Sequence, residues 1–103
     1  MSNKQLEEII LKKIANKEQL TAKDVEMLIY EDGFKIETVV INKYIYSELV
    51  KTIIKLGGKF YSVYWRQASI ENQENYFESQ LAIEVEKKKK IIETHEWVEI
   101  KGE

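Results

Sequence analysis

The stretch SELVKTIIKLGGKFYSVYWRQ, Ser47 to Gln67, decides the fold. Gly57 and Gly58 stand between two apolar runs and supply the positive φ angles that a tight hairpin turn requires. Taking them as the two loop residues predicts a register: Leu56 faces Lys59, Ile54 faces Tyr61, Thr52 faces Val63 and Val50 faces Trp65. One face then carries Val50, Ile54, Leu56, Tyr61, Val63 and Trp65, which is a core face. The other carries Leu49, Lys51, Ile53, Lys55, Phe60, Ser62, Tyr64 and Arg66. A merely solvated face does not require so many cations and aromatics, and the surplus marks a candidate binding surface.

Working outward, the N-terminal third reads as two helices spanning about residues 3–31. Ser2 and Gln5 have capping-box spacing, and Leu6, Ile9, Ile10 and Ile14 follow at helical spacing as one buried stripe. Lys17-Glu18-Gln19 is the expected break. Thr21 and Asp24 open a second helix whose apolar side is Ala22, Val25, Leu28 and Ile29. Asp32-Gly33 ends it, with Gly33 as the residue just past the cap.

The sheet is expected over about residues 34–100. Phe34 to Ile41 is rich in β-branched residues and reads as a strand. A helix from Lys43 to Leu56 competes with the hairpin, because Ile45, Leu49, Ile53 and Leu56 also fit a helical stripe. The β-branched run and the placement of Gly57-Gly58 favour the strand. Ala68 to Phe77 is polar and reads as a connecting loop or a single helical turn. Leu81, Ile83 and Val85 alternate with polar or small residues, the mark of a half-buried strand. Ile92 to Ile100 continues the alternation as a last strand. A helix across Val85 to Trp97 is the other reading, since Glu84 with Lys88 and Glu86 with Lys90 have i,i+4 spacing. The expected fold is α+β: two N-terminal helices packed on a small antiparallel sheet with a Gly-Gly hairpin.

Composition bounds the function. A chain of 103 residues, 44% hydrophobic and 33% charged, is expected to form one domain with a modest core. No apolar run is long enough for a membrane span, and the N-terminus leads into an amphipathic pattern, not a signal peptide. The absence of cysteine excludes disulfides, thiolate zinc sites and thiol nucleophiles. A cytoplasmic location is the expectation. The chain has no proline, and its load of Lys, Glu, Ile, Asn and Tyr points to an AT-rich coding sequence.

No catalytic or cofactor signature stands out. His95 is the only histidine, without the convergent partners that titratable chemistry needs. The four glycines, Gly33, Gly57, Gly58 and Gly102, make no phosphate-binding loop. The net charge of -2 conceals an asymmetry. From Gln67 to Glu86 there is no Lys or Arg, while Glu71, Glu74, Glu78, Glu84 and Glu86 add five negative charges, and Lys87 to Lys90 follow as four positive ones. Such blocks are a solvated surface or an acidic patch that meets a basic groove in a partner. Two helices followed by a hairpin also follow the order of a winged-helix domain, whose hairpin here offers Lys51, Lys55, Phe60, Tyr64 and Arg66 to nucleic acid. Against that alternative stand a single Arg, the negative net charge and the lack of a recognition helix.

The order of these pieces carries a resemblance. Phe60, Tyr61 and Trp65 fit an aromatic second strand of "YYxxxW" type; Glu71, Gln73, Glu74, Phe77 and Gln80 fit a "TExQExxFxxQ" connector; Glu84, Val85, Glu86, Lys90 and Trp97 fit an "EVExxEK" strand ahead of a late Trp. Over about residues 15–100 the chain resembles small proteins of Gram-positive phages and prophages. It departs from them at Ser69-Ile70-Glu71 and in lacking a proline after Val-Glu. The resemblance implies a phage or prophage accessory protein that binds a host protein stoichiometrically, in the host cytoplasm. Inhibition of a host defence nuclease, as anti-CRISPR proteins perform it, is one role it permits. Glu71, Glu74, Glu78, Phe60, Tyr64 and Arg66 are the candidate partner-binding residues; no catalytic residue, metal ligand or cofactor is expected.

Overall fold

Both helices begin at capping boxes. Ser2 Oγ accepts from the Gln5 backbone N–H, and the Gln5 side chain accepts from the Ser2 N–H, opening helix α1 over Asn3–Ala15. Thr21 and Asp24 repeat the arrangement for α2 over Ala22–Tyr30. The structure is a computed structural model that describes residues 2–88 and 95–100.

Five strands follow among the described residues: β1 Lys35–Lys43, β2 Ser47–Leu56, β3 Lys59–Ala68, β4 Tyr76–Phe77 and β5 Ile83–Val85. The protein is α+β, with the two N-terminal helices packed on one antiparallel sheet. The spatial order runs β1, β2, β3, then β4, while β5 also pairs with β3. The β2–β3 hairpin has the expected register throughout, from Leu56 opposite Lys59 to Val50 opposite Trp65. Gly57 and Gly58 take φ of 57° and 80°. Positive φ at both central positions is what a type I′ turn demands. The helix reading of Lys43–Leu56 is thereby excluded.

The core lies between the helices and the inner face of β2 and β3. Leu6, Ile10, Val25, Leu28 and Ile29 pack against Val50, Ile54, Leu56, Tyr61, Val63 and Trp65, with Leu20 and Phe34 closing the ends. Thr52 is fully buried on the same face. It accepts a 2.9 Å hydrogen bond from Trp65 Nε1–H and shares another with the Thr38 hydroxyl, so this buried hydroxyl is satisfied. Beneath α2, Phe77 stacks on Trp65 and meets Tyr30 edge-on, at centroid distances of 5.3 and 5.5 Å.

The far edge of the sheet is a single interrupted strand. Trp65 pairs with Phe77 and Ser62 with Ile83, so three steps along β3 correspond to six along the edge chain. The surplus is looped out around Gln80. Its backbone forms both bonds of an isolated bridge to Leu20, and its side-chain amide reaches back into the gap. There Gln80 Oε1 accepts from the Tyr64 N–H at 2.7 Å and Nε2 donates to the Tyr64 carbonyl at 2.6 Å. A side chain thus supplies the two ladder bonds that a strand residue would have made.

Several expectations are corrected. Ile9 is exposed at 42%, and Leu11 instead packs against the core at the Gly57 turn. The α2 cap is Glu31, in extended backbone, and Gly33 lies beyond it with φ of 104°. Leu81 and Ile83 are exposed, while the intervening Ala82 packs on the core. The alternation is real, but Ala82 faces the core. The expected strand over Ile92–Ile100 does not form where it is described: residues 95–100 have neither strand nor helix and are exposed throughout. With Val85 in a strand, the helix reading of Val85–Trp97 fails at both described ends. The parts of both readings that fall on residues 89–94 lie outside the described residues.

Candidate functional site

The helices cover only one face of the sheet. The strand register places Leu49, Lys51, Ile53, Lys55, Phe60, Ser62, Tyr64 and Arg66 on the opposite face, as expected, and extends it on both sides. Glu37 and Val39 join it opposite Ile53 and Lys51; Tyr76 joins it opposite Arg66, and Ile83 and Val85 opposite Ser62 and Phe60. Tyr64, Tyr76, Ile83 and Val39 are all substantially exposed there.

Two hollows shape this face. The first is lined by Leu49, Tyr64, Trp65, Arg66, Tyr76, Glu78 and Gln80. It brings together three of the expected partner-binding residues, Tyr64, Arg66 and Glu78. The Arg66 guanidinium lies 4.7 Å from the Tyr44 ring centroid, so the only arginine of the chain sits over a ring of the β1–β2 connection. The second hollow contains Ile53, Phe60 and Val85 among Lys51, Lys55 and Lys87. Phe60 is half-buried, not exposed, and Lys55 Nζ sits 5.9 Å from its ring centroid.

The acidic segment divides. Glu71 and Glu74 lie exposed in the connection between β3 and β4, away from both hollows. Among the described residues neither they nor Glu78 form an ion pair. Glu84 pairs with Lys59 at 3.6 Å and Glu86 with Lys88 at 3.5 Å, which removes both from a free acidic patch. Tyr76 and Gln80 belong to the site and were not among its expected residues. The Arg66 pairing that recruits Tyr76 rests on a two-residue strand, too short to show a period.

Among the described residues, the one strongly placed ionisable group is structural. Asp24 is 6% exposed. Burial pushes its carboxyl up, but the Lys13 ammonium at 2.5 Å, the Thr21 backbone N–H and the Thr21 hydroxyl outweigh that, and its pKa is held below the usual value. His95 is exposed in irregular chain. No group of three His, Asp or Glu side chains converges among the described residues. No described helix is long and apolar enough to cross a membrane. Comparison of the chain with protein-family models, curated proteins and solved structures returned no match.

Proposed function

We propose that the protein acts stoichiometrically, by binding another protein through the outer face of its sheet. The observation that supports this reading is the uncovered face itself: Phe60, Tyr64, Arg66 and Tyr76 stand on it, and Glu78 shares the hollow of the last three. Aromatic rings and arginine give large contact area at small entropic cost and recur at the energetic centres of protein interfaces. Exposed Glu71 and Glu74, in the connection between β3 and β4 outside both hollows, add negative charge that steers a basic partner toward the molecule.

The resemblance to phage and prophage proteins makes a host cytoplasmic protein the partner. A defence nuclease with a basic nucleic-acid groove fits the chemistry, the glutamates then standing in for phosphates as in an anti-CRISPR inhibitor. The test is capture from host lysate on the immobilised protein, followed by titration of the recovered partner. Changing Glu71, Glu74 and Glu78 together to Lys slows association and steepens with falling salt, while far-UV circular dichroism stays unchanged. Tyr64→Ala accelerates dissociation. Full binding by both variants sinks the assignment of this face. His95→Ala retains activity in the same assay; its loss with an intact fold reopens an enzymatic role.

A further inference from the structure

The segment His95–Ile100 carries Trp97, Val98 and Ile100 at 103, 72 and 95% exposure, beside Glu96 and Glu99. Three large apolar side chains in six residues, each held in water, call for a docking surface. The hollow around Ile53, Phe60 and Val85 offers its chemical complement. Its floor is apolar, and Lys51, Lys55 and Lys87 surround it against Glu37 and Glu86. Glu86 is already engaged by Lys88, so the hollow presents a cationic rim.

We infer that His95–Ile100 docks onto this hollow of its own chain, with the Trp97 indole on Ile53 and Phe60 and the Glu99 carboxylate on the rim of Lys51 and Lys55. The chain leaves β5 at this very place, since Val85 and Lys87 line the hollow. Ten residues from Lys87 to Trp97 reach at most about 33–36 Å, ample for a return to the rim. Along an extended chain Trp97 and Glu99 share one side, about 7 Å apart, so ring and carboxylate can engage floor and rim together. Tethering favours this arrangement over docking on a second copy, because a short link presents the segment at an effective concentration near millimolar. Docking masks Phe60 and leaves the Tyr64–Arg66–Glu78 hollow open. It takes Phe60 out of the external contact, which then rests on Tyr64, Arg66, Tyr76 and Glu78, and it can hold whether or not that face has an external partner.

Tryptophan fluorescence tests it. The chain has two tryptophans and Trp65 is 8% exposed, so subtracting the spectrum of Trp97→Phe from the parent isolates Trp97. Docking predicts blue-shifted Trp97 emission and iodide quenching several-fold weaker than in a free peptide of residues 95–100. It also predicts that both signals are independent of protein concentration. Lys51→Glu with Lys55→Glu, and separately Glu96→Lys with Glu99→Lys, should each return Trp97 to the behaviour of the free peptide. The second pair lies in exposed irregular chain and leaves the folded core untouched. Quenching equal to the free peptide in the parent overturns the inference. So does protection that survives both charge reversals, or protection that appears only as protein concentration rises, which would place the segment on a second copy.

Discussion

At the scale of single residues, neighbours in sequence have opposite duties. Trp65 fills the core, stacks on Phe77 and donates to Thr52, while Tyr64 points to the outer face at 39% exposure. Trp65→Ala should cost about 3–5 kcal/mol, a large part of what a domain of this size has. Tyr64→Ala should stay within about 0.5–1 kcal/mol. Thermal or urea denaturation checks the pair, and the reverse ranking would contradict the hairpin register. Asp24 adds a pH dependence. Its lowered folded pKa means that its contribution is complete above about pH 4 and is lost as pH falls through the folded value. Asp24→Asn should cost about 1–2 kcal/mol at neutral pH through the weakened contacts to Lys13 and Thr21. The gap between variant and parent should narrow as melts are taken below pH 4.

At the scale of elements, the hairpin turn is also a joint with α1. A Cβ on Gly57 would lie 3.0 Å from Leu11 Cδ1, whereas one on Gly58 would meet open space. Both positions have positive φ, so alanine is strained at each, but only Gly57→Ala must also displace a packed side chain. Gly57→Ala should therefore lower the melting temperature further than Gly58→Ala. Elements built from local rules were legible in the sequence. The two caps, the turn and the β2–β3 pairing are each specified by residues close together in the chain. The edge beyond β3 was not. Two-residue β4 shows no period, and the work of a strand is done there by amides: Asn75 Oδ1 accepts from the Ala68 N–H, as Gln80 does from Tyr64. The alternation of residues 92–100 misleads for a related reason: a period of two describes a side-chain pattern, and pairing needs a partner edge. Of the candidate site, the outer-face residues of β3 followed from the hairpin register. Tyr76 did not, because its place depends on that amide-built edge.

At the scale of the molecule, one face of the sheet is covered by helices and the other is not. The bare face mixes Lys51, Lys55 and Arg66 with Glu37 and Glu78, so its potential is not that of a nucleic-acid surface. Double-stranded DNA should accordingly bind no tighter than weak, non-specific contact at physiological salt. A fluorescence-anisotropy titration checks this. Tight, sequence-dependent binding would replace the protein-binding reading with the nucleic-acid one.

The Gln80 amide has a further consequence. It closes the Tyr64 N–H inside the sheet, while its own backbone is bonded to Leu20 between the two helices. Deuterium uptake at the Tyr64 amide therefore reports whether the helical layer is seated. In the parent it should exchange as slowly as its β3 neighbours, whose release requires opening of the core. In Gln80→Ala the same amide should exchange at the rate of local fraying, while Val63 next to it stays protected.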